Sequence, residues 1–471
     1  MRVLRSVLVV GVCCLPLAIF ACVGDTSVPP VVDAGADAGV DTGTQDAAPD
    51  AVGDVAPPDA GPKCNYPDGG VPGVLDQTFQ GGVHAEAADP QAGDVDPSGN
   101  IYVASNATNC VSGSSGADIA VFKYLPTGLP DTSFGTGGRF CIDLGGKQQV
   151  PWSVRADPAG GSILVTGASG ILSFLSEAIL VARVKTNGTL DTTFGTQGIY
   201  SQPVAGITKP IAYGLAFDTS AKPAKLIVVG ADGDQFQANV GGFVLRLTAG
   251  GQVDNGFHTG TPVTELTATT GYYGAAADAA GNVFVTGSSR GASRDLIVRK
   301  LTVAGQPEVS FGTGGTATFA QLSDPMSEGR SVLALANGKV IVAGLREAEA
   351  GTEFIARLTG AGALDTSFAV ASTFPGVLLV PSLTFQSDYT FTMLSPRCDG
   401  QYLLGGYTGA GTKMAVGRVS TAGTLDPNFG TTGLAVSSTG GSPLNAVEDP
   451  VTSRIILIGR SDPAFLERYN P

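Results

Sequence analysis

The sequence predicts an all-β fold, a seven-bladed β-propeller of four-stranded antiparallel blades that follows a disordered N-terminal tether. A phrase of the form Leu-Asp-x-x-Phe occurs seven times, with small variations, at a nearly constant interval. Each interval contains four short β-rich runs separated by turn sequences rich in Gly, Asp and Asn. Four-stranded units repeated at a period of a few tens of residues are typical of propeller blades.

The N-terminus has the layout of a secretory signal, with Arg2 and Arg5 followed by an apolar run from Val7 to Ala21. The sequence Ile19-Phe20-Ala21-Cys22 resembles the bacterial lipobox, in which the cysteine is lipidated and the chain is cleaved before it. We therefore predict a lipoprotein signal peptide over residues 1–21 and lipidation at Cys22. An ordinary signal peptide cleaved nearby is the alternative.

A lipidated Cys22 would make the membrane a partner through the acyl chains, since two or more chains hold a protein stably on a bilayer. No later segment has eighteen consecutive apolar residues. Val23 and Gly24 follow the cysteine, so the acidic residue associated with inner-membrane retention in enteric bacteria is absent. The expected location is the outer membrane, facing the periplasm or the cell exterior.

Residues 22–63 are predicted to form a disordered linker. The segment from Val23 to Lys63 contains eight Asp, a single cation and no aromatic residue. Such a composition cannot bury enough apolar surface to offset the entropy of ordering. A calcium-binding interpretation is disfavoured because the acids do not keep the fixed offsets of a calcium loop.

The chain is acidic, with a formal net charge of −14 and no basic cluster, which argues against nucleic acid as a partner. Four cysteines follow the lipobox: Cys64, Cys110, Cys141 and Cys398. Without a CxxC pair they do not form a zinc site, and disulfides are expected outside the cytoplasm. Three pairings are open. We favour Cys110 with Cys141, on the expectation that they lie on neighbouring repeats.

Residues 64–471 are predicted to form the propeller of seven repeats. In each Leu-Asp-x-x-Phe phrase, Asp and the following Ser or Thr shape a connection, and the phenylalanine is buried against the neighbouring sheet. This assigns a structural role to Phe79, Phe134, Phe194, Phe257, Phe311, Phe368 and Phe429.

The second and third strands of a unit are joined by turns such as Asp96-Pro97-Ser98-Gly99-Asn100, which favour a tight hairpin. A metal loop formed by Asp94, Asp96 and Asn100 is disfavoured because other repeats lack equivalent ligands. The sequence leaves open where each blade begins and whether one blade combines strands from both termini. A β-solenoid is the alternative fold, disfavoured because no capping unit is evident.

The units resemble the delta-60 repeat, a β-propeller-like repeat frequent in secreted proteins of myxobacteria. The resemblance is carried by Gly99 to Ala104, Gly281 to Gly287, and Arg418 to Gly433, which includes Leu425-Asp426-Pro427-Asn428-Phe429-Gly430. It covers roughly residues 73–471. It implies the propeller fold and no catalytic residues.

No catalytic residue, metal ligand or cofactor is predicted. The two histidines, His84 and His258, lie outside any recognisable catalytic motif. The sequence Gly287-Ser288-Ser289-Arg290-Gly291 has the form of a nucleophile elbow, but it lies between two predicted strands, where such an elbow must open a helix.

Two functions remain. The first is a monomeric cell-surface or periplasmic propeller that binds or scaffolds a protein, peptide or polysaccharide, favoured by unlike loops such as Asn106 to Gly116 and Leu379 to Pro396. The second is a lactonase- or glycosidase-like hydrolase with a metal or carboxylate pair at the central channel. An acidic cluster in the channel would favour the second, and a neutral channel would argue against it. Trp152 is expected to be buried within a blade.

Overall fold

The computed structural model describes residues 64–66, 70–81, 89–108, 110, 117–145, 148–171, 176–233, 241–265, 269–290, 294–319, 322, 327–346, 351–384, 393–408, 413–460 and 465–471. The predicted signal peptide, Cys22, the predicted linker and His84 lie outside these residues. So do parts of the two loops named above. Among the residues described, no helix has the length and apolar composition needed to cross a bilayer.

The described strands form six antiparallel sheets, one of which joins the eight strands of two blades through a pair between Thr384 and Tyr407. Counted by blade, they confirm the predicted seven-bladed propeller. Blade 1 contains β1 (Pro90–Val95), β2 (Ile101–Thr108), β3 (Ala117–Tyr124) and β4 (Arg139–Ile142). Blade 2 contains β5 (Gln148–Ala156), β6 (Ser162–Ile171), β7 (Ala178–Lys185) and β8 (Ile199–Gln202). Blade 3 contains β9 (Pro210–Asp218), β10 (Lys225–Asp232), β11 (Gly242–Leu247) and β12 (Val263–Glu265).

The remaining blades repeat this order, with one exception at the end. Blade 4 contains β13 (Thr269–Ala277), β14 (Val283–Arg290), β15 (Arg294–Leu301) and β16 (Thr316–Thr318). Blade 5 contains β17 (Ser327–Ala334), β18 (Val340–Arg346), β19 (Thr352–Leu358) and β20 (Val377–Thr384). Blade 6 contains β21 (Met393–Pro396), β22 (Tyr402–Thr408), β23 (Lys413–Val419) and β24 (Leu434–Gly440). Blade 7 contains β25 (Ser442–Glu448), β26 (Ile455–Arg460) and β27 (Phe465–Tyr469).

The first strand of every blade lies at the centre of the ring. Each of these inner strands contacts the inner strand of the next blade, and β25 of blade 7 contacts β1 of blade 1. The ring is therefore closed around a central channel.

The blades begin one strand later than the units read from the sequence. The strand that follows each Leu-Asp-x-x-Phe phrase pairs with the third strand of the preceding blade, as β4 pairs with β3. In blade 7 the corresponding phrase comes from the N-terminus, and Leu75 forms a β-bridge with Tyr469 of β27. Blade 7 thus combines both ends of the domain, which the sequence left open.

Hydrogen bonds join this closing segment, residues 72–80, to the C-terminal end of the chain. The Asp76 amide donates to the Arg468 carbonyl at 2.8 Å, and the Asn470 amide donates to the Val74 carbonyl at 2.9 Å. Gly73 has a φ of +72°, and a Cβ at this position would lie 2.2 Å from the amide nitrogen of Gly430 on blade 6. Only glycine allows that approach.

The phenylalanines of the repeated phrase are buried between blades. Six of them are at most 1% exposed, and Phe79 of the closing segment is half-buried and packs against the apolar cluster shared by blades 7 and 1. Burial of an aromatic ring between sheets is a large share of the apolar stabilisation available to each blade.

Each phenylalanine belongs to a recurring group of three side chains, which we call the connector. The other two members are a cation of the third strand and the acidic residue of the repeated phrase. In blade 2, Arg183 of β7 forms a salt bridge with Asp191 at 2.7 Å, and its guanidinium lies 4.9 Å from the centre of the Phe194 ring. Asp191 also accepts hydrogen bonds from the amide and hydroxyl of Thr193. The aspartate thus completes the turn while it neutralises the cation.

The connector also joins each blade to the next. Arg183 donates to the carbonyl of Ala249 in blade 3. The residue after each phenylalanine donates its amide to a turn carbonyl of the following blade at 2.8 to 3.0 Å. These seven bonds link Gln80 to Thr127, Gly135 to Asn187, Gly195 to Gly250, His258 to Ala304, Gly312 to Ala361, Ala369 to Ala422, and Gly430 to Pro72.

The connector of blade 7 is formed across the termini by Asp76 and Arg468, whose charged groups are 2.7 Å apart and almost fully buried. Burial alone would raise the pKa of the Asp76 carboxyl, but hydrogen bonds from Thr78 and the Arg468 cation outweigh it and lower that pKa. The carboxylate is therefore charged in the folded protein.

Asp76→Asn should lower the free energy of unfolding by about 3 kcal/mol, because removal of one partner leaves a buried cation unpaired. Asp426→Asn, which breaks the equivalent but more exposed pair within blade 6, is the matched control and should cost less. Urea unfolding followed by near-ultraviolet circular dichroism measures both. Equal losses in the two variants would contradict a special role for Asp76 in closing the ring.

Candidate functional site

Six of the seven inner strands, as described, share an irregularity that directs one residue into the channel. The pairing of first and second strands shifts by one residue at a β-bulge, for example between Pro151 and Ser153 of β5, so that Trp152 has no partner on β6. A bulge re-aims the side chain of the extra residue. The bulged residues of six blades are Gln91, Trp152, Tyr213, Tyr273, Arg330 and Leu444.

All six bulged residues line one central cavity of about 360 Å³, which we call the channel ring. Each lies five positions before the residue that opens the hairpin to the second strand, as Trp152 precedes Asp157 and Tyr213 precedes Asp218. The same spacing in blade 6 leads to Thr392, which lies outside the described residues. The cavity is lined by residues of all seven blades.

Three consecutive members of the ring are aromatic. The centres of the Trp152 and Tyr213 rings are 5.0 Å apart with an interplanar angle of 71°. The Tyr213 and Tyr273 rings follow at 5.3 Å and 59°. Trp152 and Tyr213 are half-buried, whereas Tyr273 is buried. Blades 2, 3 and 4 therefore present a continuous aromatic wall to the cavity.

Arg330 of blade 5 ends this wall. Its guanidinium lies 4.4 Å from the centre of the Tyr273 ring and forms a 2.5 Å salt bridge with Glu328, whose side chain is 2% exposed. Burial would lower the pKa of the Arg330 guanidinium, but the negative charge of Glu328 outweighs it and raises that pKa. Arg330 is thus positively charged, and its charge is balanced by Glu328, which is buried beneath the channel surface.

The described residues that line the cavity include two cations, Arg155 and Arg330, and no carboxylate. Arg155 lies 4.0 Å from Asp94, a carboxyl whose pKa is raised by burial. The acidic cluster that the hydrolase hypothesis requires is therefore not found among these lining residues. The only grouping of potential metal ligands among the described residues is Cys64, Cys398 and Glu448, and both of its thiols are oxidised in a disulfide.

Two disulfides link the four cysteines of the domain. Cys110 is bonded to Cys141, with a Cα–Cα distance of 5.7 Å. Both cysteines belong to blade 1, although they lie on neighbouring sequence repeats, because each blade begins one strand later than the sequence unit. Cys64 is bonded to Cys398, which ties the start of the domain to the first hairpin of blade 6.

The other residues considered as candidate site residues lie in hairpins, turns or strands that explain their presence. Asp96 accepts hydrogen bonds from the amides of Ser98 and Asn100 and from the Asn100 side chain, as a hairpin requires. His258 is half-buried in a short 3-10 turn, and its Nδ1 lies 3.1 Å from the Thr261 hydroxyl. Ser288 is buried within β14, so no elbow into a helix is formed there.

Trp152 lines the channel, and the expectation that it is buried within a blade is wrong. The other ring residues were missed entirely by the sequence analysis. The signal that identifies them is their constant spacing along the sequence before the first hairpin of the blade. This spacing becomes useful only once the inner strand of each blade is known.

Comparison with known families supports the assignment of the repeat to a β-propeller. Residues 161–194 and 335–368 match the sequence model of a family described as a domain of unknown function, DUF5122, β-propeller. Each match begins in or beside the hairpin between the first two strands of a blade and ends at the phenylalanine of the connector, Phe194 or Phe368. These two segments are thus similar to a propeller-type repeat.

No curated protein matches the sequence. Among solved structures, the chain is similar to Chaetomium thermophilum Raptor, with a TM-score of 0.44 and 10% identity, over 84% of this chain and 30% of Raptor. It is also similar to the Myceliophteria thermophila Cps50 (Swd1) β-propeller domain, with a TM-score of 0.41 and 8% identity, over 81% of this chain and 96% of that domain. A chain of the mitotic checkpoint complex gives a TM-score of 0.43 and 10% identity, over 91% of this chain and 98% of that chain. Likenesses this weak do not indicate what this protein binds.

Arg330→Gln should destabilise the fold by about 3 kcal/mol, because Glu328 then remains buried without its cation. The double variant Glu328→Gln with Arg330→Gln should recover part of that loss, since neither charge is left unpaired. A double-mutant cycle measured by urea unfolding gives the coupling, expected at about 1 to 3 kcal/mol. Additive effects of the two substitutions would show that the pair is not coupled.

Proposed function

We propose that this protein is an exported lipoprotein, held by Cys22 to the outer membrane, whose propeller is a binding or scaffolding module for a protein, peptide or polysaccharide. The channel ring is the observation that carries the binding part of the proposal. A concave site lined by aromatic side chains with a few polar groups is the usual form of a ligand pocket.

Comparison of the repeats within the chain supports this assignment. Positions that the blade fold requires, such as the aspartate and phenylalanine of the connector, are filled by the same residue types in nearly every unit. The bulged position holds a different residue in most blades, although the backbone there is the same. The same backbone thus carries different chemistry in different blades, and binding of a ligand at the ring would explain the difference.

The proposed location follows from the lipobox-like sequence that ends at Cys22 and from the Asp-rich segment after it. The protein would act as a monomer that faces the periplasm or the cell exterior, with no nucleic-acid partner. The hydrolase alternative has no support from the described channel residues, and we do not propose it.

The binding role is tested by exposing the purified exported protein to arrays of peptides and of bacterial polysaccharide fragments. Binding should be at least about tenfold weaker in the variant Trp152→Ala with Tyr213→Ala, since about 1.4 kcal/mol corresponds to tenfold. Val309→Ala is the control, because Val309 is 74% exposed and lies outside the channel lining. Native-like binding by the double variant would exclude the ring as the binding site.

The anchor is tested by labelling cells with a radioactive fatty acid. The native protein should carry the label and partition into the detergent phase with the membrane fraction. Cys22→Ser should lose both properties, because the thiol is the acceptor of the lipid. Unlabelled native protein, or label that persists in Cys22→Ser, would contradict the lipoprotein assignment.

A further inference from the structure

The channel ring is divided into two unlike halves. Trp152, Tyr213 and Tyr273 occupy three successive blades, and Arg330 closes their wall. The cavity lining across the ring includes Gln91 and Asn445 from blades 1 and 7, whose amide NH2 groups already donate to Asp89 and to the Gly93 carbonyl. One side of a ligand would meet aromatic rings, and the other side would meet polar residues whose amide oxygens can accept hydrogen bonds.

We propose that the channel ring is a saccharide site that takes an uncharged pyranose unit of a glycan. The proposal rests on the proposed binding function and names its ligand class. A pyranose has one face of C–H groups, which packs against the electron-rich face of an aromatic ring, and an edge of hydroxyl groups, which need donors and acceptors. This distribution matches the two halves of the ring.

The electrostatics of the cavity select a neutral sugar. Arg330 is paired at 2.5 Å with the buried Glu328, and Arg155 lies 4.0 Å from Asp94. A carboxylate or sulfate on the sugar would therefore find the charge of Arg330 already neutralised. The formal net charge of −14 on the chain further opposes the approach of a polyanion.

The position of the cavity favours a sugar over an extended peptide. Peptides are commonly bound by adding a strand to a free sheet edge or by lying along an open groove. Here the inner strands enclose the cavity from all seven blades, and each is already paired with the second strand of its blade. A compact ring at the end of a glycan suits this enclosed site.

The test uses the fact that Trp152 is the only tryptophan of the chain. Its fluorescence therefore reports on the channel ring alone. The full exported protein is titrated with neutral hexoses and N-acetylhexosamines and their oligomers, with the corresponding uronic acids, and with a proline-rich peptide. We expect a saturable change in emission with at least one neutral sugar, and binding of its uronic acid at least about tenfold weaker.

Matched tyrosine variants separate binding from stability. Tyr213→Ala should weaken binding of the neutral sugar at least about tenfold. Tyr213→Phe keeps the aromatic ring and should bind the sugar as the native protein does. Tyr200→Ala is the control, because Tyr200 is also half-buried but lies on the outer strand β8, outside the channel. Circular dichroism shows whether each variant is folded.

Three results would overturn the proposal. Tighter binding of the uronic acids would reverse the assigned charge preference. A response to the proline-rich peptide alone, lost in Tyr213→Ala, would make the ligand a peptide and leave the proposed binding function intact. If no sugar or peptide of these panels, or of the arrays described above, binds in a manner that depends on the ring, then both the saccharide site and the proposed binding function fail.

Discussion

The closed ring depends on the connector, in which a cation of the third strand meets the aspartate and the phenylalanine of the same repeat. The aspartate would be costly to bury without hydrogen bonds, and the cation would be costly to bury without the aspartate. The phenylalanine separates two sheets, and in five blades it lies beneath the cation. Because the cation also reaches a carbonyl of the next blade, as Arg183 reaches Ala249, one local group sets the contact between neighbours. Repetition of that contact brings the last blade back to the first.

The connector exists in two forms that depend on the residue opposite the cation. Where the cross-strand partner on the second strand is aromatic, as for Tyr102 and Phe284, the cation is Lys123 or Lys300, which lies over that ring. In the other five blades the partner is aliphatic, and the cation is an arginine that covers the connector phenylalanine. We infer that a second ring takes the space of the guanidinium, and the compact ammonium group is then the cation that fits.

The repeat, its strands, its hairpins and the number of blades could be predicted because each rests on local sequence. The start of each blade could not, since every frame of a circular repeat is equally consistent until the two ends are paired through Leu75 and Tyr469. The link between Cys64 and Cys398 spans 334 residues and follows from that closure. Trp152 was misplaced because an alternating strand gives no sign of a bulge, which depends on the register with its neighbour.

The Cys64–Cys398 disulfide affects how the domain resists tension at its N-terminal end. A lipid anchor on the preceding segment would exert such tension. Tension would enter at Cys64, ahead of the closing segment around Leu75. Without the disulfide, that tension would separate the closing segment from β27 by breaking their hydrogen bonds one after another. With it, a covalent path also leads from Cys64 into the first hairpin of blade 6, so the closing segment does not bear the force alone. The seam of the ring is thereby shielded from drag on the molecule.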